Sequence, residues 1–221
     1  MDDPARKTGL RFKDSGSISD ADKQYNGMMT GKQRVILAIT GASGAVLGLR
    51  TLETLVRLDV EVHLIISPVG ARILTDETNV PLADVVKMAD RTYQPDDLSA
   101  PIASGSFSTL GMLIVPCSIK TLSGIANSYS ENLIQRAADV CLKEGRSLLL
   151  AVRETPLHSG HLRLMLEAAR AGAIIFPPVP AFYQHPATLD DMVNATVGRM
   201  LARIGIENDL YLPWGQQPSS E

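Results

Sequence analysis

Short apolar runs alternate with helical stretches through most of this chain, and this alternation restricts the folds that it can adopt. Five runs are predicted as strands: Arg34–Thr40, Val60–Ile66, Met112–Pro116, Ser147–Val152 and Ala173–Phe176. Continuous apolar runs of this length are typical of strands that are buried on both faces of a parallel sheet. With helices between them, they predict one α/β domain with a doubly wound, mostly parallel sheet of Rossmann-like or flavodoxin-like type.

Helices are predicted in the segments that connect these strands and after the last one. They cover Ala45–Leu58, Val69–Leu74, Leu82–Met88, one helix between Thr121 and Ser147, Gly160–Ala171 and Leu189–Ile204. Residues 1–33 are rich in Asp, Lys, Ser and Gly and have no hydrophobic period, so they are predicted to be a flexible tail. The functional domain is then expected at residues 34–214, followed by a short tail at 215–221.

Composition excludes several classes of function. The 221 residues fit one large domain, and the net charge of −3, without a run of Lys or Arg, argues against binding to nucleic acid. Cys117 and Cys141 are too few for a disulfide framework and fit a reducing compartment. No apolar run approaches the roughly 20 residues of a membrane span, and no signal peptide is recognised, so a cytoplasmic protein is expected.

The first predicted strand is followed by a loop of small residues, Gly41–Gly44, and then by a helix. This arrangement offers backbone N–H groups and a positive helix end to an anion, and a phosphate is the natural ligand. The glycines do not form the dinucleotide pattern GxGxxG, and the second strand ends in Ser67-Pro68 without the acidic residue that binds a ribose. The loop therefore favours a mononucleotide over a dinucleotide.

The segment Ile114–Arg153 carries polar and ionic groups at the ends of two predicted strands. Pro116–Thr121 follows one strand, and Arg153–Thr155 follows the next. Ligands of open α/β sheets bind at the carboxyl ends of the strands, so this edge is the predicted site.

Eight segments of the chain, in order and with similar spacing, resemble the UbiX flavin prenyltransferases, a family formerly described as aromatic-acid decarboxylases or their small subunits. They are Thr40–Gly44, Ala100–Ser106, Pro116–Thr121, Arg136–Asp139, Leu142–Glu144, Arg153–Pro156, His161–Leu162 and Pro180–Tyr183. Each segment alone is a weak signal, but together they extend the resemblance from about Arg34 to Trp214.

The resemblance implies transfer of a dimethylallyl group from dimethylallyl monophosphate to reduced FMN. The flavin N5 takes the allyl C1 as phosphate leaves, and C6 then closes a fourth ring. The prenylated FMN is passed to a UbiD-type decarboxylase. The resemblance further implies a homo-oligomer, commonly a dodecamer, with flavin sites at subunit interfaces, and no metal.

The resemblance also implies the roles of individual residues. The dimethylallyl phosphate is expected to contact Lys143, Arg153, Tyr183, Arg199 and Trp214. Catalytic roles are expected for Glu77, Lys143, Glu154, Tyr183 and Arg199. The FMN is expected to contact Gly41, Ala42, Ser43, Ser67, Ser118, Ile119, Lys120, Thr121, Arg136 and Arg153, with Arg136 reaching across a subunit interface. Cations and a phenol can stabilise a leaving phosphate without a metal.

Structural roles remain open for several of these residues. Lys143 alone would be interpreted as a surface lysine of a helix, and Arg153 and Glu154 could form a structural ion pair. Glu77 is as well explained as a charge at a helix end, and Trp214 as a packing anchor. Cys117 is interpreted as a packed side chain rather than a nucleophile.

Other functions are also compatible with a flavin-binding α/β fold. A non-catalytic FMN-binding accessory subunit of an aromatic-acid decarboxylase is the main alternative, although it would not need Lys143, Glu154 or Arg199. A flavin-dependent cysteine decarboxylase is disfavoured because its Pro-Ala-Ser-Ala-Asn-Thr motif is replaced by Pro116–Thr121. A dinucleotide oxidoreductase is disfavoured by the missing ribose-binding acid.

Overall fold

The computed structural model of the protein describes residues 32–213 and Gly215. Its strands are β1 (Arg34–Ile39), β2 (Glu61–Ile66), β3 (Arg91–Tyr93), β4 (Gly111–Cys117), β5 (Ser147–Val152) and β6 (Ile174–Ile175). Its α-helices are α1 (Ala45–Arg57), α2 (Pro68–Thr78), α3 (Leu82–Met88), α4 (Ile119–Ala126), α5 (Leu133–Lys143), α6 (Ser159–Arg170) and α7 (Leu189–Arg203). Short 3-10 helices cover Pro101–Ala103 and Phe182–Gln184. The predicted tail at 1–31 and residue Trp214 lie outside the described residues.

The six strands form one parallel sheet in the order β3-β2-β1-β4-β5-β6. This is the strand order of the Rossmann fold, which confirms the predicted fold class. The chain proceeds outward from β1 through β2 to β3 and then returns to place β4 on the other side of β1. The boundary between β1 and β4 is therefore the topological switch point, where open α/β sheets bind their ligands.

Both faces of the sheet are covered by helices, which explains why the strands are almost continuously apolar. In β1, Val35, Leu37 and Ile39 face the layer that contains α1, α3 and α7. Ile36 and Ala38 face the opposite layer, which contains α4, α5 and α6. Because successive side chains of a strand point to opposite faces, burial on both sides requires an apolar residue at every position.

Two elements differ from the sequence prediction. The single helix expected after Pro116 is divided into α4 and α5, because Ser128 adopts a positive φ of 51° and Asn132 starts a second helix by accepting a hydrogen bond from the Gln135 backbone at 3.1 Å. The edge strand β3 was not predicted, since its three residues, Arg91–Tyr93, are polar and partly exposed. A short edge strand carries no strong hydrophobic pattern.

A hydrogen-bonded cluster joins the first three strands of the sheet. Arg34 donates to Glu61 at 2.8 Å, and the ring nitrogens of the buried His63 lie 3.0 Å from Glu61 Oε1 and 2.9 Å from the Tyr93 hydroxyl. The hydrogen bond from Arg34 holds the pKa of Glu61 below its ordinary value, while burial raises the pKa of Tyr93. These contacts fasten β3 to β2 where the backbone pairing is short.

Candidate active site

The loop after β1 approaches the start of α2 so closely that only glycine fits at its first position. A Cβ atom on Gly41 would lie 2.7 Å from Val69 Cγ1, well inside van der Waals contact. The loop then ends at Gly44, whose positive φ of 98° starts α1. Local packing therefore selects the small residues, and it leaves the backbone between the two glycines open to a ligand.

Glu77 occupies the N-terminus of α1, where the sequence predicted a phosphate. Its carboxylate accepts hydrogen bonds from the backbone N–H of Gly44, at 2.9 Å, and of Ala45, at 2.7 Å. A negative side chain at a helix N-terminus is favourable for the same reason as a phosphate. These two amides are therefore used by the chain itself, and the prediction that they bind phosphate is not supported by this geometry.

The carboxyl ends of β1 and β4 are joined by one buried hydroxyl. Thr40 Oγ1 donates to the carbonyl oxygen of Pro116 at 2.7 Å and accepts from the backbone N–H of Ser118 at 2.8 Å. Ser118 in turn accepts from the backbone N–H of Thr121 at 3.3 Å and caps α4. This network fixes the two loops on either side of the switch point.

A cavity of about 780 Å³ opens at this edge of the sheet and is called the switch-point cavity here. It lies at the ends of β1, β2, β4 and β5, and its volume is in the range of cofactor sites. Its lining includes ten predicted site residues: Gly41, Ala42, Ser43, Ser67, Ser118, Ile119, Lys120, Thr121, Arg153 and Glu154. The structure thus gathers nearly all of the predicted FMN residues in one place.

Arg153 and Glu154 both line the switch-point cavity. The strand β5 ends at Val152, and Arg153 is anchored through its backbone N–H to the carbonyl oxygen of Cys117 at 3.1 Å. Glu154 Oε1 accepts a hydrogen bond from the backbone N–H of Thr155 at 3.0 Å. Beyond the strand end the alternation no longer applies, so both charges can reach the same ligand.

Arg136 does not line the switch-point cavity within one chain. Its guanidinium donates to the carbonyl oxygen of Ala103 at 3.1 Å and to Asp139 at 2.8 Å. It therefore faces the short helix Pro101–Ala103 on the outer side of α5, which is compatible with the predicted contact across an interface.

Lys143 lies at the end of α5, away from the switch-point cavity, and its ammonium forms an ion pair with Glu144. It also borders the loop before β4, where a Cβ atom on Gly105 would lie 2.8 Å from Lys143 Nζ. Arg146 holds that loop by donating to the carbonyl oxygens of Phe107, at 2.7 Å, and Gly105, at 2.6 Å. The loop before β4 thus packs at Gly105 against the end of α5 of the same chain.

Tyr183 and Arg199 are likewise placed away from the switch-point cavity within one chain. Tyr183 belongs to the short helix Phe182–Gln184, beside a second cavity of about 540 Å³ that Gln184 and Tyr211 line. Arg199 is exposed on α7. The chain by itself does not bring Lys143, Tyr183 and Arg199 to the predicted FMN residues.

Sequence reasoning missed part of the cavity wall. The structure adds Pro95, Asp96, Glu131, Asn132, Ile134 and Gln135 to its lining. Four of these come from the turn and the first residues of α5, which were hidden when one helix was predicted across this region. Asn132 was the available signal, because an Asn before an apolar helical stretch is a typical N-cap.

The buried thiol at the site is unsuited to nucleophilic chemistry. Cys117 is fully buried in the core next to the switch-point loop, and burial raises its pKa to about 12. The thiolate is the nucleophilic form of cysteine, so this thiol is unreactive near neutral pH. Its interpretation as a packed side chain is confirmed.

A Rossmann-type sheet with a polar cavity at its switch point defines a nucleotide-binding class, and the comparison with protein families makes that class specific. Residues 23–197 match the family model described as Flavoprotein. The flavin prenyltransferase UbiX of Escherichia coli strain K12 is 54% identical over 185 residues, which cover 82% of this chain and 98% of that protein. The chain therefore belongs to the UbiX family of flavin prenyltransferases, as its motifs predicted.

Solved structures agree with this assignment. AnUbiX (PadA1), crystallised with FMN and dimethylallyl pyrophosphate, superposes with a TM-score of 0.83 at 44% identity, over 85% of this chain and 100% of that chain. A dodecameric FMN-dependent UbiX-like decarboxylase from Escherichia coli O157:H7 has a TM-score of 0.80 at 45% identity, over 82% of this chain and 99% of its own. Within the described residues, no helix is long and apolar enough to cross a membrane.

Proposed function

We propose that this protein is a metal-independent flavin prenyltransferase, which transfers a dimethylallyl group from dimethylallyl monophosphate to N5 and C6 of reduced FMN. Membership of the UbiX family supports the reaction class. The observation that carries the proposal is the switch-point cavity, where nine residues of the family-like motifs, together with Ser67, line one volume large enough for a flavin. Reduced FMN is the prenyl acceptor, and it supplies the nucleophilic ring positions.

The FMN site is proposed to combine small loops with hydroxyl and cationic donors. Gly41 packs closely against Val69, so the loop after β1 lies near the start of α2 and leaves space above it for a flat ring. Ser67 and Ser118 cap α2 and α4, so their hydroxyls lie at the cavity edge in fixed positions. Arg153 adds a positive charge that can pair with a phosphate or with an anionic reduced flavin.

Glu154 is proposed to exchange a proton with the leaving phosphate or with the flavin. Its backbone follows directly from Arg153, and its carboxylate is held by the N–H of Thr155 while it lines the cavity. A carboxylate within reach of the reacting groups can act as a general acid and base. Arg153 beside it can hold the anion to which that proton is transferred.

The remaining donor-phosphate residues are proposed to come from a neighbouring copy of the chain. Lys143, Tyr183 and Arg199 do not line the cavity of their own chain, and one related protein of known structure is dodecameric. A homo-oligomer in which these cations and the phenol of Tyr183 face a neighbour's cavity would assemble the complete site. Trp214 is assigned to the same set from the resemblance alone.

Several finer points are part of the same proposal. The donor is assigned as the monophosphate, although the related crystal structure contains the pyrophosphate. The product is proposed to serve a UbiD-type decarboxylase in the cytoplasm. The catalytic domain is assigned to residues 34–214.

The direct test is a single-turnover reaction followed by mass spectrometry of the flavin. The protein is incubated anaerobically with reduced FMN and dimethylallyl monophosphate, with parallel reactions that contain the pyrophosphate or no donor. A flavin that is heavier by one dimethylallyl group, formed only with a donor, is expected. Tight FMN binding with an unchanged flavin mass for both donors would instead identify a non-catalytic FMN-binding subunit.

A further inference from the structure

Gln184 joins two parts of the chain that follow the sheet. It is the last residue of the short helix Phe182–Gln184, and it lies partly buried beside the second cavity. Its side-chain nitrogen Nε2 donates to the carbonyl oxygen of Leu212 at 3.2 Å and to the hydroxyl of Tyr183 at 3.4 Å. An amide nitrogen carries two hydrogens, so both bonds can form at the same time.

The contact with Leu212 fixes which end of the Gln184 amide faces these two partners. A backbone carbonyl oxygen can only accept, so the nitrogen of the amide, rather than its oxygen, must lie against it. The Tyr183 hydroxyl then accepts from the same nitrogen, and its own hydrogen points away from Gln184. The amide thereby sets the direction in which the phenol donates.

The segment that contains Leu212 is itself packed onto α7. A Cβ atom on Gly198 would lie 2.7 Å from Asn208 Oδ1, and Asn208 Nδ2 donates to the carbonyl oxygen of Gly198 at 3.0 Å. The residue of α7 that follows this contact is Arg199. Gln184 therefore connects the short helix to a segment that is fixed next to the position of Arg199.

The loop that follows the short helix is also fixed at the start of α7. The carboxylate of Asp191 accepts from the backbone N–H of Ala187, at 3.0 Å, and of Thr188, at 2.9 Å. The second cavity lies between this loop, α7 and the segment that contains Leu212. Of these contacts, the one made by Gln184 reaches the hydroxyl of Tyr183 itself.

We propose that Gln184 is a positioning residue, which orients the Tyr183 hydroxyl for donation to the phosphate of the prenyl donor. This inference rests on the proposed function, in which Tyr183 contacts that phosphate. A phenol whose direction is set before the ligand arrives loses little freedom on binding. Hydrogen bonds to an ionised phosphate are strong, so the direction of this single bond affects how tightly the donor is held.

The test measures binding of dimethylallyl monophosphate by calorimetry to the full-length protein loaded with oxidised FMN, whose N5 is not nucleophilic and does not react. Gln184→Met keeps the length of the side chain and removes both hydrogen bonds. The dissociation constant for the prenyl donor is expected to rise about threefold to tenfold, while that for FMN stays unchanged. Gln33→Met, at an exposed position before β1, is the matched control and should change neither constant.

A double-mutant cycle with Tyr183→Phe separates positioning from a general structural role. In the Tyr183→Phe protein, Gln184→Met should change the dissociation constant for the prenyl donor less than about twofold, because the hydroxyl on which Gln184 acts has been removed. An equal loss of donor binding in both backgrounds would show a structural role and overturn the inference. Donor binding by a folded Gln184→Met protein within twofold of the unsubstituted protein would also overturn it.

A second variant keeps the test decisive if Gln184→Met does not fold. Gln184→Glu retains the shape of the side chain and presents an oxygen to Tyr183, so the phenol turns its hydrogen toward the carboxylate and donor binding should weaken at least as much. Unchanged donor binding by folded Gln184→Glu, with an unsubstituted protein that prenylates reduced FMN, would refute this inference alone. An unsubstituted protein that binds FMN but no prenyl donor would refute the proposed function together with this inference.

Discussion

Arg153 and Glu154 are adjacent residues that follow the end of β5, and both line the switch-point cavity. A cation and a carboxylate in adjacent positions can divide the work of the proposed reaction, one holding an anion and the other moving a proton. The sequence identified both residues and also the end of the strand that precedes them, since the predicted run Ser147–Val152 has the bounds of β5.

The role proposed for Glu154 predicts a separation of binding from turnover. Glu154→Gln should bind FMN with an unchanged dissociation constant, since it preserves shape and can still accept from Thr155. The rate of prenylation should fall about 100-fold or more, because the amide cannot exchange a proton. Single-turnover mass spectrometry measures the rate, and Glu207→Gln, an exposed position outside the site, serves as the control. Full activity of Glu154→Gln would remove this residue from the mechanism.

Glu61 gives a prediction about stability and pH at the far edge of the sheet. Its pKa is lowered in the folded protein by the hydrogen bond from Arg34, so the folded state favours the ionised carboxylate. The resulting stability is fully present above the ordinary pKa of 4.5 and is lost as the pH falls through the lower pKa of the folded state.

Glu61→Gln should accordingly reduce the free energy of unfolding at pH 7 by about 1 kcal/mol. The difference from the unsubstituted protein should shrink as the pH is lowered below 4.5. Urea unfolding at fixed protein concentration across this pH range measures it. A difference that grows on acidification would contradict the assignment of the lowered pKa to this pair.

At the scale of elements, the start of helix α1 shows that the same small residues can accommodate either of two negative groups, an external phosphate or a carboxylate of the protein itself. Small residues at its start predicted an external phosphate, whereas the structure places the carboxylate of Glu77 on the amides of Gly44 and Ala45. Both satisfy the same exposed N–H groups, so the local sequence cannot distinguish them. The choice depends on α2 ending beside α1, which is a tertiary contact between residues more than thirty positions apart.

Removal of this cap should destabilise the loop that follows β1. Glu77→Ala is expected to lower the free energy of unfolding by about 0.5–2 kcal/mol, the usual cost of losing a helix cap. Glu77→Gln should lose less, because its amide oxygen can still accept one of the two hydrogen bonds. Asp76→Ala, at the neighbouring exposed position, should be close to neutral in the same urea titration. Equal stability of Glu77→Ala and Asp76→Ala would show that the cap contributes nothing.

The packing of α1 on β4 gives a second prediction at this scale. A Cβ atom on Gly48 would lie 2.4 Å from the carbonyl oxygen of Val115, so the helix approaches the strand too closely for alanine. Gly48→Ala should therefore cost about 1–3 kcal/mol despite the better helix propensity of alanine. Thermal unfolding should show a lower midpoint for Gly48→Ala and little change for Val46→Ala on the exposed side of α1. A stabilised Gly48→Ala protein would contradict the close approach.

At the scale of the whole molecule, the sequence predicted five of the six described strands and one half of the site but could not place the other half. The apolar runs predicted the strands, because burial on both faces of a sheet requires apolar residues at successive positions. The polar residues that follow the strands predicted the position of the cavity. The division between α4 and α5 was not predicted, since the N-cap signal of Asn132 lies within a long stretch that has a helical pattern. Lys143, Tyr183 and Arg199 were chosen by resemblance, and a single chain leaves them apart from the cavity.

If these residues act on a neighbour's cavity, two inactive variants should restore one another. Lys143→Ala carries an intact cavity, and Glu154→Gln carries an intact Lys143. In oligomers assembled together from equal amounts of both, about one quarter of the sites would combine the two intact halves. Prenylation by the co-assembled protein should exceed that of either variant alone, whereas separately assembled variants mixed afterwards provide the control. No gain on co-assembly would place both residues in the site of the same chain.

The hydroxyl of Thr40 suggests how the span of the ligand-binding cleft could be altered without touching a ligand. It forms hydrogen bonds with both a carbonyl oxygen and a backbone N–H after β4, and so links the carboxyl ends of β1 and β4. Valine has nearly the same shape but forms neither hydrogen bond, so in Thr40→Val the ends of β1 and β4 would be free to separate. Tolerance for bulkier flavins could then arise from a position that no flavin ever contacts.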